Sequence, residues 1–529
     1  MIAAVATTPA VVSSAMQASM LIFAAIAATG VLWRFATQPR LHFTGTAMLL
    51  VGWLGLGVTI APQTLLDRPA LLAAAIVIVM GAASYAARLL APRREWLLIA
   101  GAALLPLRVP VPLGGQTYNL LLPLYGVILI AGLIQLQRDH ARAIAPVAGD
   151  ASEPARNSSD EPAHAAAAKH VGPLRPPALS WSSRGPALAC DLPLALLVAW
   201  ASLSIGWAID LQAGAQKVAL FILPFAVLYS VVRAWLDDGL ELARPAKAFL
   251  VVMVAAALVG IFQHATGHVW QNAKVEVANV FAPDFRTNSI FWDPNIYGRY
   301  LVATLAMMLT PLAAAQLRTR GLLWRVLGLL LLLGVALWYT YSQSSFIALA
   351  VACIVLVFLA SGRRTRFVLL VALAASAVGL PLAAQQLRGN DEHSRSELIS
   401  YGTHLASEAP IEGLGIGSFE AGVAQLSKDR GIRVPKLRAS HTTPVTMLAE
   451  LGVIGLGAWI AVVAGGLSAG LSRGYDPARW WATATLAALV AHSMFYAAFL
   501  EDPIVWVTLA VIGARVHAQA APEDVAIEE

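Results

Sequence analysis

The stretch LLWRVLGLLLLLGVALWYTY (322–341) decides the fold class. It contains one charged residue, Arg325, and is as long as the roughly 20 apolar residues that a helix needs to cross a bilayer. Similar runs recur along the chain and predict membrane-spanning helices, because a backbone in lipid must satisfy its own hydrogen bonds. They lie at 14–35, 43–61, 70–91, 96–107, 117–136, 190–208, 217–235, 246–264, 297–316, 322–341, 345–361, 367–384, 443–467, 480–500 and 503–517.

The composition agrees with an all-α polytopic membrane protein, a bundle of roughly 12–15 transmembrane helices. Of the 529 residues, 58% are hydrophobic and only 12% are charged, against about 25% charged in soluble proteins. Positive loops on the cytoplasmic side account for the net charge of +6, so we expect no nucleic-acid partner. Both cysteines, Cys190 and Cys353, lie in apolar runs, so a structural disulfide is not expected.

Arginine-rich short loops alternate with loops that carry few basic residues, and this alternation sets the orientation. With the arginine-rich loops in the cytoplasm, as the positive-inside rule requires, the N-terminus lies outside and the C-terminal tail inside. The first run lacks a basic n-region and a clear cleavage site, so it reads as a span and not as a cleaved signal.

The chain divides into six predicted segments. The segment 138–188 is rich in Ala, Pro and Ser, has no periodicity, and is interpreted as a disordered cytoplasmic linker. The others are N-terminal spans (1–137), central spans (189–384) with a short outer loop at 265–296, a long outer loop (385–442), C-terminal spans (443–517) and a cytoplasmic tail (518–529).

The two outer loops carry basic residues on the side where the positive-inside rule depletes them. A negatively charged ligand at the outer membrane face is the simplest reason. The residues are Lys274 and Arg286 in the short loop, and Arg388, Arg395, Lys428, Arg430, Arg433, Lys436 and Arg438 in the long one.

Two amphipathic helices are predicted within the long loop. A capping box at 394–397 opens the first, which ends near Ser407. Its polar face is expected to carry Glu397, Tyr401 and His404, and its apolar face Leu398, Ile399 and Leu405. Ser418 is expected to cap the second helix, which buries Phe419, Val423 and Leu426 and stops at Gly431.

The glycine-rich segment between these helices, 413–418, has no preceding strand and no GKS/T ending. A nucleotide loop is therefore disfavoured, and a tight turn packed against the bundle is preferred. After the second helix, Arg433, Lys436 and Arg438 precede His441. They either snorkel to lipid head groups or form an anion site beside a histidine able to act as a base.

Several further polar residues have open roles. Asp293 is expected to cap the span that follows, and Asn295 beside it is a substrate-contact candidate. Glu450 is expected to contact a neighbouring helix. His492, Glu501 and Asp502 lie near the outer end of a span, where a functional role and a purely structural role are about equally well supported.

Four stretches, in this order, carry a family pattern: RTNSIFWDPNIYGRYL (286–301), YTYSQSSFIALAV (339–351), RSELISYGTHLASEAPIEGLGIGSF (395–419) and SHTTPVTMLAELGVIGLGAWI (440–460). They resemble the O-antigen ligase / Wzy polymerase superfamily of bacterial membrane glycosyltransferases. The resemblance covers about the C-terminal half of the chain. It implies a GT-C-like fold and glycan transfer from undecaprenyl diphosphate at the periplasmic face of the inner membrane, without metal or cofactor.

The resemblance also implies residue roles. Arg286 and Arg395 match the arginines that act on the diphosphate, and His441 matches the histidine near the acceptor hydroxyl; we assign these three as catalytic. Arginine suits this task because its planar fork holds phosphate oxygens bidentately and stabilises charge developing on them. The proposed substrate-binding set is Lys217, Arg299, Arg433, Arg438, Asn295 and His404.

Two departures from the family pattern matter. Relatives read T-x-S-R-G where this chain has Thr340-Tyr-Ser342-Gln343-Ser344, so Gln343 cannot supply the arginine charge. Lys217 and Arg299 are the cations considered as substitutes. Relatives also often read HN where this chain has His441-Thr442. This difference bears on the contact with the acceptor and not on the class of enzyme.

The sequence as a whole is interpreted as a multi-pass inner-membrane glycosyltransferase of the O-antigen ligase type, with lipid A–core as acceptor. A repeat-unit polymerase, with a growing polysaccharide as acceptor, is the first alternative. A lipid-linked sugar transporter or flippase is the second, although no internal symmetry of broken helices supports it. His404 is the alternative to His441 as the reacting histidine.

Overall fold

The computed structural model describes residues 13–35, 39–61, 67–107, 110–113, 116–119, 122–144, 181–270, 272–281, 284–316, 319–362, 393–431, 440–471 and 475–514. Within these ranges the chain is almost entirely helical. The run at 367–384, the C-terminal tail (518–529) and the middle of the predicted linker (145–180) lie outside the described residues. The two ends of that linker, 138–144 and 181–188, are helical, so the prediction of disorder is wrong there.

The part of the N-terminal half that the structure describes forms eight α-helices and one short hairpin. They are α1 (Ser14–Arg34), α2 (Pro39–Thr59), α3 (Pro69–Leu89), α4 (Glu95–Leu104), β1 (Pro110–Leu113), β2 (Gln116–Asn119), α5 (Leu122–Ile144), α6 (Trp181–Leu203), α7 (Leu211–Lys217) and α8 (Leu223–Asp237), with 3₁₀ turns at Ala91–Arg93 and Ser204–Trp207 and a π-helical turn at Val218–Ile222.

The described residues of the C-terminal half form ten more helices. They are α9 (Ala243–Thr266), α10 (Ala273–Phe281), α11 (Pro294–Ala313), α12 (Arg320–Trp338), α13 (Gln343–Ala360), α14 (His393–Glu408), α15 (Phe419–Arg430), α16 (Thr443–Leu471), α17 (Pro477–Ser493) and α18 (Pro503–Gly513).

Ten of the described helices are long and apolar enough to cross a membrane, and three shorter apolar helices accompany them. The chain is a polytopic all-α membrane protein, as predicted. Every predicted run other than 367–384 coincides with a helix. The run at 117–136 needs a correction at its start, because residues 116–119 form β2, which pairs antiparallel with β1 in the register Leu113↔Gln116.

The most enclosed spans lie at the centre of the bundle. The continuous helical segment Leu211–Asp237 and the helix Pro294–Ala313 have the largest buried shares of all the candidate spans. Helix α13 packs between α11 and α17, and α18 packs on α8. These helices supply most of the polar residues described below, because only a position enclosed by protein can hold them away from lipid.

The glycine-rich segment 413–418 is a tight turn packed against the bundle, as predicted. Gly413, Gly415 and Gly417 all have positive φ angles, of 74°, 87° and 78°. A Cβ at Gly415 would lie 2.3 Å from the Cα of Ala208, so the turn can approach the bundle only with glycine there.

This turn docks on a break in α16. Gly452 has φ 65° and ψ −167° inside the helix, which frees backbone groups from the helical ladder. The turn region satisfies them: Leu414 N donates to Ala449 O at 2.9 Å, and Val453 N donates to Pro410 O at 2.9 Å. A broken helix at membrane depth is tolerated only where protein repairs the hydrogen bonds in this way.

We predict that Gly452→Ala destabilises the protein. Its backbone conformation is essentially restricted to glycine and costs other residues about 1–3 kcal/mol, and a Cβ would lie 2.1 Å from Ile411 O. Thermal melting in detergent, followed by tryptophan fluorescence, should show a lower Tm. Gly457→Ala on the same helix is the matched control, since a Cβ there meets nothing within 4 Å. Equal melting of both variants would contradict the docking role.

Candidate active site

The short outer loop is pinned to the bundle by side-chain to backbone hydrogen bonds. Gln263 of α9 pairs reciprocally with the backbone of Ser289: its Nε2 donates to Ser289 O at 3.0 Å, and its Oε1 accepts from Ser289 N at 2.7 Å. Asn272 Nδ2 donates to Trp292 O at 2.6 Å, and Asn288 Nδ2 donates to Phe291 O at 2.7 Å. The loop is therefore pre-organised.

Arg286 is held by this loop and by the neighbouring helix ends. Its Nε donates to Thr340 O at 3.0 Å, and its Nη2 donates to Asn295 Oδ1 at 3.3 Å. The side chain of Asn279, on α10, bonds both the N–H of Arg286 (3.1 Å) and its carbonyl (2.9 Å). Backbone and guanidinium are thus both fixed, with the residue half-buried.

Asp293 caps α11 as predicted, because its Oδ1 accepts from Asn295 N at 2.7 Å. The cap orients Asn295, whose Oδ1 accepts from Arg286 and also from Ser342 Oγ at 2.9 Å. Asn295 is therefore a bridge between the predicted arginine and the start of α13. Its observed contacts position Arg286.

A buried polar relay continues from Ser342. Its Oγ lies 3.1 Å from Ser344 Oγ, and Ser344 Oγ lies 3.1 Å from His492 Nε2. His492 Nδ1 in turn lies 3.3 Å from Arg299 Nη2. Since a guanidinium only donates, Nδ1 accepts and Nε2 carries the proton of the neutral ring, which it donates to Ser344.

Both terminal nitrogens of Arg299 are held by protein contacts. Its Nη1 donates to Asp502 Oδ2 at 2.6 Å and to Ala498 O at 2.7 Å. The side chains of Arg299 and Asp502 are 3% and 4% exposed. Tyr300 OH donates to the other carboxylate oxygen, at 3.1 Å. In this conformation these partners occupy Arg299, whose predicted substrate contact stays a prediction.

Lys217 is engaged in the same way. Its Nζ lies 2.9 Å from Glu450 Oε2 and 2.9 Å from Glu501 Oε1. The expected contact between Glu450 and a neighbouring helix is therefore present. Because Glu501 directly precedes Asp502, the ion pairs of Lys217 and Arg299 meet at adjacent residues. One polar network runs from Arg286 to Glu450.

His441 lies at the turn before α16 with a φ of 59°, a backbone conformation that is uncommon outside glycine. The flanking hydroxyls stabilise the turn: Ser440 Oγ donates to Thr442 O at 2.7 Å and lies 2.8 Å from Thr446 Oγ1. Ser440 is buried, whereas His441 is half-exposed. Strained backbone of this kind concentrates at functional sites.

The two helices of the long loop, α14 and α15, are present. They pack on the first turns of α16 through Leu405, Phe419, Val423 and Ala449. Phe419 N lies 3.4 Å from Glu450 Oε1, which ties the start of α15 to the polar network.

Two details of the predicted amphipathic pattern are wrong. Ile399 is 40% exposed and does not pack in the apolar face. Ser418 does not cap α15 with its side chain; its Oγ accepts from Ile209 N at 3.0 Å, across to the start of α7. Tertiary contact with the bundle has displaced the local cap.

His404 is drawn into a contact between the loop helices. Its Nε2 lies 2.8 Å from Arg430 Nη2 on α15 and 3.6 Å from Glu408 Oε1. The backbone of Arg395 belongs to α14, but its side chain lies outside the described residues, as do Arg433 and Arg438.

One histidine beside Arg286 was not singled out from the sequence. His264 Nδ1 lies 3.3 Å from Phe285 O, and its ring stacks on Tyr339 with centroids 3.7 Å apart and an interplanar angle of 11°. Ser342 and Ser344 were also missed as site residues. The available signal was a run of hydroxyl residues (340–345) at the mouth of an otherwise apolar span.

The site residues collect at one end of the bundle. Hydrogen bonds and ion pairs join the end of α9, the starts of α11, α13 and α18, and the segments next to α12 and α17. The start of α15 and Glu450 of α16 join them through Lys217. The two outer loops therefore lie on the same face.

A family model described as O-antigen ligase matches residues 328–460. These residues are therefore similar to an O-antigen ligase domain. The match confirms the predicted resemblance to the O-antigen ligase / Wzy superfamily. Members of this family are glycosyltransferase-like enzymes acting on lipid-linked glycans and polysaccharides. A comparison with curated proteins gives no match.

The matched segment contains only part of the network. It includes Ser342, Ser344 and Glu450, together with His441, whereas Arg286 and the cations Lys217 and Arg299 come from outside it, as do His492, Glu501 and Asp502. The site is completed by helices on both sides of the matched segment.

We predict that Arg299→Ala lowers stability severely. It leaves Asp502 buried without its cation, and breaking a buried ion pair costs about 3–5 kcal/mol. The Tm in detergent should fall by many degrees. Arg244→Ala is the control, because Arg244 pairs with Glu95 but is 68% exposed, where an ion pair contributes about 0–1 kcal/mol. Similar Tm losses in both variants would show that burial of the pair is unimportant.

Proposed function

We propose that this protein is a glycosyltransferase that moves a glycan from undecaprenyl diphosphate to a sugar hydroxyl. We assign it to the periplasmic face of the bacterial inner membrane and to the O-antigen ligase type, with lipid A–core as acceptor. The observation that carries the proposal is Arg286, a guanidinium fixed at the end of a membrane bundle that includes a segment similar to O-antigen ligases.

Arg286 is the residue to which we assign the diphosphate. As the bond between the sugar C1 and the phosphate oxygen breaks, negative charge develops on the leaving diphosphate. A positioned guanidinium stabilises that charge and loses little by reorganising during the reaction. Arg395, Arg433 and Arg438 are proposed to add positive charge from the long loop. Asn295 is proposed to orient Arg286.

His441 is the proposed general base. The acceptor hydroxyl oxygen attacks C1, its proton passes to the imidazole, and the C1–O bond to the diphosphate breaks with its electron pair on the leaving oxygen. Direct displacement of this kind inverts the anomeric centre. An NMR assignment of the product showing retained configuration would rule it out.

We propose supporting roles for Lys217 and Arg299. Two carboxylates engage Lys217, and Asp502 engages Arg299. Neither is then needed as a substitute for the arginine that Gln343 replaces. Gln343 itself is exposed at the start of α13. His404, which contacts Arg430, is likewise proposed to join the two loop helices.

The central experiment is an assay of the purified full-length protein with an undecaprenyl-diphosphate glycan and lipid A–core, without added metal. Product with lipid A–core supports the ligase. Elongated donor without transfer supports the repeat-unit polymerase, and no product with either acceptor contradicts both. A deletion strain gives the same distinction: polymer that is made but absent from lipid A–core indicates a ligase, whereas single repeats indicate a polymerase.

We predict that His441→Ala lowers kcat by about 10²–10⁴-fold, the usual contribution of a general base, with unchanged Tm. His404→Ala is the control and should retain activity, because His404 lies on the exposed surface of the loop helices. His264→Ala tests the histidine beside Arg286. Full activity of His441→Ala with loss in either other variant would reassign the base.

A further inference from the structure

Helix α10 presents an apolar face that nothing in the described part of the chain covers. Val277 is 57% exposed, Val280 is 75% exposed and Phe281 is 84% exposed. Three large apolar side chains this exposed on one short helix are unusual for a surface facing water.

The arrangement of α10 is that of an amphipathic helix lying on a surface. At about 100° per residue, Val275 and Asn279 share the side that faces the protein: Val275 is buried, and Asn279 bonds Arg286. Val277, Val280 and Phe281 lie on the opposite side. Glu276 is at the border, 3.8 Å from His268.

The exposed apolar side of α9 leads towards α10 through Trp270. Along α9, Val251, Leu258 and Phe262 are 67%, 55% and 54% exposed, as expected for the lipid side of a span. Phe262 packs on Trp270, which is 52% exposed, with ring centroids 5.7 Å apart. Trp270 precedes α10, and tryptophan is typical of the membrane–water interface.

We propose that α10 is an interfacial helix whose apolar face, formed by Val277, Val280 and Phe281, is seated in the outer leaflet of the membrane. The link through Trp270 to the exposed apolar side of α9 favours lipid as the occupant over a partner protein. Asn279, on the other side of the same helix, then holds Arg286 at the depth of lipid head groups. The inference does not depend on the proposed reaction, but it explains how Arg286 would meet a diphosphate attached to a lipid.

The test measures the depth of single labels. Cys190 and Cys353 are replaced by alanine, and a cysteine carrying an environment-sensitive fluorophore is placed at Phe281, at Leu258 or at Asp284. Phe281 and Asp284 are both exposed in the same loop, but only Phe281 belongs to the apolar face that we propose to lie in the membrane. The full-length protein is reconstituted in vesicles of phosphatidylethanolamine and phosphatidylglycerol, with phospholipids brominated near the glycerol end or near the methyl end of the chain.

We expect strong quenching at Phe281 by the shallow bromines and at Leu258 by the deeper ones. Asp284 should be quenched mainly by aqueous iodide. If the label at Phe281 instead follows Asp284, the face is in water; if neither lipid nor iodide quenches it, protein covers the face. Either result overturns the inference. A failed glycosyltransferase assay would leave the quenching pattern unchanged, so the two proposals fail separately.

A functional consequence follows if both proposals hold. The double substitution Val280→Ser and Phe281→Ser weakens insertion of the apolar face into the membrane and leaves Asn279 and Arg286 unchanged. KM for the lipid-linked donor should therefore rise several-fold while Tm is retained. Glu276→Ser is the control on the same helix and should leave KM unchanged. An unaltered KM in the double variant would show that the seat does not position Arg286.

Discussion

Two adjacent carboxylates between α17 and α18 hold the site end of the bundle together. Glu501 pairs with Lys217, and Asp502 pairs with Arg299. Each pair joins helices far apart in the chain, and each is mostly or fully enclosed. An unpaired charge in such surroundings costs several kcal/mol, so the helices can pack only in an arrangement that brings these partners together. The geometry of this whole end depends on that constraint.

The constraint reaches the candidate active site through neutral hydrogen-bonding groups. His492 accepts a hydrogen bond from Arg299 and donates one to Ser344. The serines connect Ser344 to Asn295, which in turn accepts a hydrogen bond from Arg286. A fixed guanidinium suits a reaction in which charge appears suddenly on a leaving group, because the stabilising dipoles are already oriented. The same rigidity supports the interfacial seat of α10, since Asn279 connects that helix to the same arginine.

Local patterns predicted what local physics controls. The membrane spans, the Asp293 cap and the glycine turn could all be predicted from the sequence, because hydrophobic length, capping and positive φ are properties of short segments. The failures came where a distant contact outcompeted a local one. Ser418 has the sequence position of a helix cap, but it bonds Ile209 of another segment. His264 gave no signal in the sequence because its neighbours, Phe285 and Tyr339, are close only in the folded chain.

The sequence by itself determined the class of molecule: a polytopic helical membrane protein with basic outer loops and the O-antigen ligase pattern. Transfer of apolar side chains into lipid is additive along a segment, so it can be read residue by residue. Only the tertiary structure decided which charges are engaged. Lys217, Arg299 and Arg286 are all cations of the same sequence type, yet Lys217 and Arg299 pair with carboxylates, and Arg286 bonds the side chain of Asn295 and the carbonyl of Thr340. Electrostatic pairing depends on distance in space, and that distance is set by the packing of the whole bundle.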